Sequence, residues 1–389
     1  MSDALTTEGI ERFAAVAARH IGDAAVPGLV ALVACGDRVH VEAVGTLSIG
    51  GHAVRRDSLF RIASTTKPVT AAATLALARD GLITLDEPVG RLLPELAHPR
   101  VLRRMDGPLD DTVPARRAIT IRDLLTFTFG FGMLADMFAA PEPWPVVTAA
   151  SELHLATLGP PMPDEQPDPD TWMAALGSLP LLAQPGERWL YNTSASVLGV
   201  LIARAAGMPL GDVLRSWIFE PLGMTQTAFW ADDPSRLATA YCPSEDGLVV
   251  WDPPDGQWSR PPAFGDGGAG LVSTADDLLA FARMLLDDGG ALLPSDAVRD
   301  MTRDHLTPEQ RTRDGRMFLD GRGWGFCQAI VVDGPRAGAF GWDGGLGTSW
   351  LVDPARDLAV IVLTQRMFTS PRAPKVHAEL QDAAYGAVR

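Results

Sequence analysis

A serine and a lysine three residues apart, Ser64 and Lys67, have the spacing of a nucleophile and its activating base. The chain has only two lysines among its 389 residues, Lys67 and Lys375, and arginine supplies the remaining strong bases. Arginine stays protonated in a protein, whereas a lysine amine accepts a proton once its pKa is depressed. We therefore interpret Ser64 as a candidate nucleophile and Lys67 as its candidate base. A serine helix cap followed by a solvated lysine is the alternative that this spacing alone leaves open.

The residues that flank this pair favour the catalytic interpretation. Three apolar side chains precede Ser64: Phe60, Ile62 and Ala63. The alanine- and leucine-rich run over residues 65–80 predicts a helix whose N-terminus lies beside Ser64 and whose first turn carries Lys67. Burial in such a setting disfavours the charged form of the amine. The unpaired N–H groups of the helix N-terminus favour negative charge on the serine and on an acyl oxygen beside it.

Tyr191 is the candidate for the second proton carrier that a serine–lysine pair still needs. Tyrosine occurs only three times in the chain, and Tyr191 stands shortly before an apolar stretch over residues 197–205 that predicts a helix. A phenol at this point can relay a proton if the fold brings it to Ser64. An aromatic side chain packed at the start of a helix is the alternative when this position is considered alone.

A glycine-rich segment over residues 341–350 is a third candidate for the site. Glycines just before a strand let a substrate approach the backbone closely. The N–H group of Gly345 is then available as one donor of an oxyanion hole, with the N–H group of Ser64 as the other. An ordinary glycine-rich hairpin turn is the alternative.

The elements that must bring these residues together come from both ends of the chain. Helical periodicity covers residues 7–23, and a closing helix is predicted from about residue 374. Strands are predicted over residues 29–34, 39–44, 325–332, 338–340, 349–352 and 358–364. The region between these two groups is mostly helical in pattern.

This order of elements predicts an α+β fold, in which an antiparallel sheet flanked by helices is built from both chain ends and receives an inserted, mostly helical lobe. The expected sheet domain comprises residues 1–85 and 240–389. The expected helical domain comprises residues 86–239. The active site is expected at the junction of the two domains.

Composition excludes several kinds of partner and site. The formal net charge of −15 argues against nucleic acid or an anionic membrane surface as a partner, and no apolar run approaches the length of a membrane span. Three widely spaced cysteines suggest neither a disulfide framework nor a zinc site. The first residues lack the basic and apolar regions of a signal peptide. We therefore expect a cytoplasmic protein that binds a small molecule and needs no metal or cofactor, with its oligomeric state left open.

Taken in order, the three candidate segments make the chain resemble the serine β-lactamase and penicillin-binding-protein superfamily over nearly its whole length. The resemblance is strongest to the class C-like branch that includes the family VIII carboxylesterases. The further stretches that carry it are residues 59–64 (LFRIAS), 119–126 (ITIRDLLT), 221–224 (PLGM) and 268–274 (GAGLVST). The resemblance implies that Ser64 is the acylated nucleophile, that Lys67 is its proton partner, and that Tyr191 shares the role of general base and acid with Lys67.

Two departures from the family pattern bear on the substrate. The family's third motif, usually K-T-G or H-x-G, falls on Trp342-Asp343-Gly344, and a tryptophan there is typical of the esterase branch. The family's Y-x-N motif places an asparagine where this chain has Thr193, whereas Asn192 directly follows the tyrosine. In β-lactamases these positions help to bind the amide and carboxylate of the substrate, so their change weakens the case for β-lactams. The substrate-binding residues that the resemblance implies are Trp342, Asp343, Gly344, Asn192 and Thr193.

These observations predict a serine carboxylesterase that acts on small, neutral esters. The alternatives that use the same acyl-enzyme are an acyltransferase and a β-lactamase or D-Ala-D-Ala peptidase. A non-catalytic ligand-binding protein is the alternative from another class. The chain has no G-x-S-x-G segment, which excludes the nucleophile turn of an α/β-hydrolase. The acyl length and the alcohol portion are left open.

Overall fold

The computed structural model describes residues 5–22 and 25–388. Its helices are α1 (Thr7–Arg19), α2 (Thr66–Arg79), α3 (Ile121–Leu125), α4 (Ala135–Ala139), α5 (Pro145–Glu152), α6 (Pro169–Gly177), α7 (Thr193–Ala206), α8 (Leu210–Leu214), α9 (Glu220–Leu222), α10 (Ala275–Leu286), α11 (Ser295–Met301) and α12 (Lys375–Tyr385). Its strands are β1 (Gly28–Cys35), β2 (Arg38–Gly45), β3 (Phe60–Arg61), β4 (Arg100–Leu102), β5 (Thr112–Pro114), β6 (Ala240–Ser244), β7 (Gly247–Asp252), β8 (Val272–Ser273), β9 (Gly323–Trp324), β10 (Ala329–Ile330), β11 (Phe340–Gly344), β12 (Thr348–Asp353) and β13 (Leu358–Thr364).

An antiparallel sheet of seven strands lies at the centre of the fold, in the order β2-β1-β13-β12-β11-β10-β9. Strands from the two ends of the chain meet where β1 pairs with β13, and Leu32 lies opposite Ile361 there. Every residue of β1 and of β13 is buried, as expected for central strands made of continuous apolar runs. The predicted sheet built from both chain ends is therefore confirmed.

Helices cover both faces of this sheet, because successive side chains of a strand point to opposite sides. Leu29, Ala31 and Val33 of β1 pack in one core with side chains of α1 and α12. Val30 and Leu32 belong to a larger core that includes side chains of α2, α7 and α10. Helix α2, which carries Lys67, is thus on the larger-core side of the sheet.

The region between β3 and β8 contains α2 to α9 and two small antiparallel hairpins, β4–β5 and β6–β7. In α7 the residues from Thr193 to Ile202 are all buried, and the apolar side chains among them join the same large core as the sheet. The mostly helical insertion is confirmed as a feature of the architecture. The domain boundaries, 1–85 with 240–389 and 86–239, stay a prediction.

Three of the predicted elements are wrong in detail, and one of them is the strand predicted over residues 338–340, which runs instead from Phe340 to Gly344 as β11. The first helix ends at Arg19, because the His20 N–H group already caps it, and residue 23 lies outside the described residues. The predicted strand over residues 325–332 is instead a tight hairpin of β9 and β10, with Trp324 opposite Ala329. Cys327 has a φ of 59° at the reversal, which an extended strand does not contain.

Two further features of the described residues concern membranes and metals. No single helix is long and apolar enough to cross a membrane, and α7 with residues Leu210–Leu222 reaches that length only as a pair bent by 80°. Most of α7 is buried in the large core. Within the same described residues, no group of three or more His, Cys, Asp or Glu side chains is arranged to hold a metal ion.

Candidate active site

Ser64 lies in a 3₁₀ turn, Ala63–Thr65, between β3 and the start of α2. Ala63 has a φ of 43°, a left-handed conformation that a residue with a side chain rarely adopts. The carbonyl oxygen of Ile62 fixes this turn, since it accepts hydrogen bonds from Thr65 N at 3.0 Å and from Thr348 Oγ1 at 2.9 Å. The turn is therefore tied to the main sheet, and Ser64 is held in place at its centre.

Lys67 is fully buried on the first turn of α2, directly behind Ser64. Its Nζ atom donates to Ser64 Oγ at 2.8 Å and to the carbonyl oxygen of Gly268 at 2.7 Å. Burial lowers the pKa of Lys67 to about 7, although the charge of Asp266 opposes this fall. Much of the amine is then uncharged near neutral pH, so Lys67 has the properties of a base.

Tyr191 reaches the same serine from the residue pair just before α7. Its Oη atom donates to Ser64 Oγ at 2.9 Å and accepts a hydrogen bond from Trp342 Nε1 at 2.8 Å. Burial raises the pKa of Tyr191 to about 12, while the hydrogen bonds with Ser64 and Trp342 act in the opposite direction. The phenol is therefore protonated at neutral pH and can serve as an acid.

Strand β11 forms the opposite wall of the site. Trp342 is 5% exposed and packs edge-on against Trp324, with ring centroids 4.8 Å apart. A Cβ atom at Gly344 would lie 2.2 Å from the carbonyl oxygen of Ile62, so only glycine lets the strand approach the nucleophile turn. Gly345 follows at the edge of the cavity, and its N–H group has no protein acceptor in the described part of the chain.

A cavity of about 410 Å³ opens above Ser64. Its lining is mainly apolar, and the residues that form this apolar part include Met133, Phe138, Leu158, Met317, Phe318, Leu346, Met367 and Phe368. The charged residues in the lining are Asp266, Arg322 and Asp343. The Arg322 guanidinium carbon lies 5.3 Å from the centroid of the Trp342 ring. The site thus offers a nucleophile at the wall of an apolar pocket with a few charged groups.

The structure brings most of the expected site residues together. The cavity is lined by Ser64, Tyr191, Asn192, Trp342, Asp343 and Gly345, and Lys67 lies directly behind Ser64. Asn192 starts α7 with a φ of 85° and donates from Nδ2 to the carbonyl oxygen of Thr157 at 2.8 Å. That bond occupies part of its amide.

Two residues expected to bind substrate do not line the cavity. Thr193 is fully buried in α7, and its Oγ1 atom accepts a hydrogen bond from Thr157 Oγ1 at 2.9 Å. Gly344 is also absent from the cavity lining, because its Cα faces the carbonyl oxygen of Ile62 at close range. Thr193 lies at the start of α7, and Gly344 allows the close approach of β11 to the nucleophile turn. The assignment of both residues to substrate binding stays a prediction.

The sequence did not single out three groups that the structure places at the site: the Gly268 carbonyl, Asp266 and Arg322. The first two belong to the loop before β8, where a run of glycines was the available signal. Arg322 precedes β9, and nothing in its local sequence distinguishes it from the other arginines. Each of the three is identified only by what it contacts in the folded chain.

The chain is similar to known proteins in sequence and in fold. The β-lactamase family model matches residues 13–385. The chain is 41% identical over 332 residues to protein Rv1367c of Mycobacterium tuberculosis (strain ATCC 25618 / H37Rv), covering 81% of this chain and 79% of that protein. It is 32% identical over 360 residues to esterase EstB of Burkholderia gladioli, with 86% and 84% covered. The solved structure of EstCE1, a hydrolase with promiscuous acyltransferase activity, is similar with a TM-score of 0.82 at 25% identity, covering 97% of this chain and 99% of that one. The chain therefore belongs to the β-lactamase family of serine hydrolases.

Proposed function

We propose that the protein is a serine carboxylesterase that forms an acyl-enzyme on Ser64. The observation that carries this proposal is the position of Ser64 Oγ, 2.8 Å from Lys67 Nζ and 2.9 Å from Tyr191 Oη, at the wall of a mainly apolar cavity. A nucleophile needs a base and an acid within hydrogen-bond reach, and both are present. The similarity to EstB, an esterase, supports an ester as the substrate.

In the acylation step Lys67 is the base, because its pKa of about 7 lies well below the value of about 12 for Tyr191. The hydroxyl proton of Ser64 passes to Nζ while Oγ bonds to the ester carbonyl carbon. The phenolic proton of Tyr191 then passes to the leaving oxygen as the ester C–O bond breaks, and the alcohol departs. This leaves an acyl group on Ser64, a lysine ammonium and a tyrosinate.

In the deacylation step the tyrosinate takes a proton from a water molecule, and the oxygen of that water attacks the acyl carbon. The bond from the acyl carbon to Ser64 Oγ breaks, and the Lys67 ammonium returns a proton to Oγ. A carboxylic acid leaves, and all three side chains regain their starting states. Nζ lies 5.1 Å from the centroid of the Tyr191 ring, so the ammonium stabilises the tyrosinate between the two steps.

The N–H groups of Ser64 and Gly345 are the proposed donors to the oxyanion that forms in both steps. Ser64 lies two residues before α2, whose N-terminal end favours negative charge. Gly345 lies at the edge of the cavity with its N–H group unbonded within the described residues. Its neighbour Gly344 brings this strand end close to the nucleophile turn.

The cavity lining supports a neutral ester with an apolar acyl group. Side chains such as Phe318 and Leu346 offer apolar surface near the nucleophile. Trp342 occupies the position where the related β-lactamases carry a cation or an imidazole, and its N–H group is used by Tyr191. The side chain at this position is therefore not available to pair with the carboxylate of a β-lactam.

Acyl transfer is the second candidate function. The similarity to EstCE1, a hydrolase with promiscuous acyltransferase activity, favours it, as does the apolar lining of the cavity. In that case an alcohol takes the place of water in the second step and gives its proton to the tyrosinate. The residues and the acyl-enzyme are the same, and only the acceptor differs.

The test is hydrolysis of a p-nitrophenyl ester series of increasing acyl length, run beside nitrocefin. We expect ester turnover that is lost in Ser64→Ala. The control is Ser194→Ala, since the hydroxyl of Ser194 is buried without a hydrogen-bond partner in the described part of the chain. Ester hydrolysis that survives in folded Ser64→Ala would overturn the proposal, and faster turnover of nitrocefin than of every ester would replace it with a β-lactamase. Adding an alcohol acceptor then measures how the acyl group divides between water and alcohol.

A further inference from the structure

Asp266 is a buried carboxylate beside the proposed base, and it plays no part in the steps above. It is 6% exposed and lines the active-site cavity. Its Oδ1 atom accepts hydrogen bonds from Ser196 Oγ at 2.6 Å and from Gly268 N at 2.8 Å. The carbonyl oxygen of the same glycine accepts the hydrogen bond from Lys67 Nζ. One carboxylate oxygen therefore fixes the N–H side of the glycine whose carbonyl oxygen accepts from Lys67.

These hydrogen bonds connect α7, which follows Tyr191, with α2, which carries Lys67. Ser196 is buried on α7, the helix that begins two residues after Tyr191, whereas Lys67 lies on α2. The turn that contains Gly268 is also held to α2 by Thr70, whose Oγ1 donates to the carbonyl oxygen of Gly267 at 2.6 Å. Asp266 thus connects α7, which follows Tyr191, to the turn at Gly268 that holds Lys67.

We propose that Asp266 is a positioning residue for Lys67, which orients the Gly268 carbonyl towards Nζ and places a fixed negative charge beside the amine. This inference rests on the proposed function, because it assigns a role relative to the base of that reaction. A carboxylate near a buried amine favours the ammonium form that appears between acylation and deacylation. Asp266 therefore stabilises the acyl-enzyme state, in which Lys67 carries the proton taken from Ser64.

The charge of Asp266 has a measurable effect on the pKa of Lys67, because the other titratable groups around the amine are uncharged at neutral pH. Among the described residues, the titratable groups that face Lys67 are Asp266, Cys327 and Tyr191. Burial raises the pKa of the Cys327 thiol, so it is uncharged at neutral pH, and Tyr191 is protonated there as well. Asp266 is the remaining anion, and its removal lowers the pKa of Lys67.

The test is the pH dependence of kcat/KM in Asp266→Asn. The amide oxygen of asparagine can still accept from Ser196 and Gly268, so the substitution removes the charge and keeps the acceptor. We expect the acidic midpoint of the profile to move to lower pH by about one to two units. Ser196→Ala keeps the charge and removes one bond, so its midpoint stays in place while its plateau falls. Asp110→Asn, on the exposed turn between β4 and β5, is the control for loss of one negative charge.

A folded Asp266→Asn whose midpoint matches the wild type would overturn the inference, even if its activity is lower at every pH. If this variant does not fold, Asp266→Ser replaces it, since a hydroxyl is also an uncharged acceptor, and the same shift is expected. The rate at which a fluorophosphonate labels Ser64 is measured across the same pH range. Because labelling needs no ester turnover, its pH midpoint tests the role of Asp266 separately from the proposed esterase activity.

Discussion

Replacing Trp342 with phenylalanine removes one hydrogen bond from the site and leaves an aromatic ring in its place. Trp342 Nε1 donates to Tyr191 Oη at 2.8 Å, and the tryptophan is 5% exposed. A hydrogen bond to a charged acceptor is stronger than one to a neutral acceptor, so this bond strengthens when Tyr191 loses its proton. The variant therefore tests whether a tyrosinate forms during turnover.

The size of the effect follows from that one bond. A hydrogen bond to a charged group contributes about 1.5 to 3 kcal/mol and one between neutral groups about 0.5 to 1.5 kcal/mol, so the bond strengthens by about 1 to 1.5 kcal/mol when the tyrosinate forms. Because 1.4 kcal/mol corresponds to about a tenfold change in rate, we expect kcat of Trp342→Phe to fall by about 5- to 12-fold. The KM should change little if the lost bond serves Tyr191 and not the substrate. Loss of the donor also raises the pKa of Tyr191 further, because this hydrogen bond lowers it in the wild type.

Trp324 provides a matched control for the loss of an indole ring. It is fully buried next to Trp342, and its Nε1 atom has no hydrogen-bond partner in the described part of the chain. Trp324→Phe thus removes the same atoms without removing a hydrogen bond. We expect both variants to lose about 1 to 3 kcal/mol of unfolding free energy, since each leaves a cavity. The kcat of Trp324→Phe should stay within about threefold of the wild type.

The assay is steady-state hydrolysis of one alkyl ester, followed by acid release, because an alkoxide needs the proton of Tyr191 to leave whereas p-nitrophenolate leaves without it. Thermal unfolding of the wild type and the two variants is measured beside it. A kcat of folded Trp342→Phe within about twofold of the wild type would show that the bond does not act in the transition state, contrary to this prediction. Equal losses of kcat in both variants would contradict it as well, since packing alone would explain them.

Three further predictions follow from the site geometry. Lys67 must be uncharged to accept a proton, and its pKa is about 7, so kcat/KM should fall as the pH drops through about 7. A profile of kcat/KM that stays flat down to about pH 5 would contradict this. Tyr191→Phe removes the proposed acid, so kcat should fall by about 100- to 10,000-fold while the circular dichroism spectrum stays unchanged. A smaller loss of kcat would mean that Tyr191 is not the acid of the reaction. Gly344→Ala places a Cβ atom 2.2 Å from the Ile62 carbonyl oxygen, so we expect this variant to have a Tm lower by several degrees. Gly345→Ala is the control, because no described atom lies within 4 Å of its Cβ, and its Tm should equal that of the wild type.

The central strands were predictable because their sequences are continuous apolar runs bounded by turns. The pattern around Leu358–Thr364 shows this clearly, and the structure places β13 over the same residues. The β9–β10 hairpin was not predictable in the same way, since two strands of two residues each carry no period. Its reversal at Cys327 depends on a positive φ that no local residue preference signals.

The serine–lysine pair was predictable from local spacing, because three residues along a helix start bring two side chains to the same face. The contact of Tyr191 with Ser64 joins residues 127 positions apart, so it came from the family resemblance and not from the local pattern. Asp266 was not predictable from the local pattern. It is one of many acidic residues, and its role depends on bonds to Ser196 and Gly268 that form only in the folded chain.

The proposed mechanism depends above all on acylation of Ser64 during turnover. Acylation is observed most directly by mass spectrometry of enzyme that has been mixed with an ester and quenched in acid within the first turnovers. We expect a mass increase equal to one acyl group, located on the peptide that contains Ser64 and absent from Ser64→Ala. An acyl group found on another residue, or turnover by the wild type with no acylated Ser64 at any quench time, would contradict it.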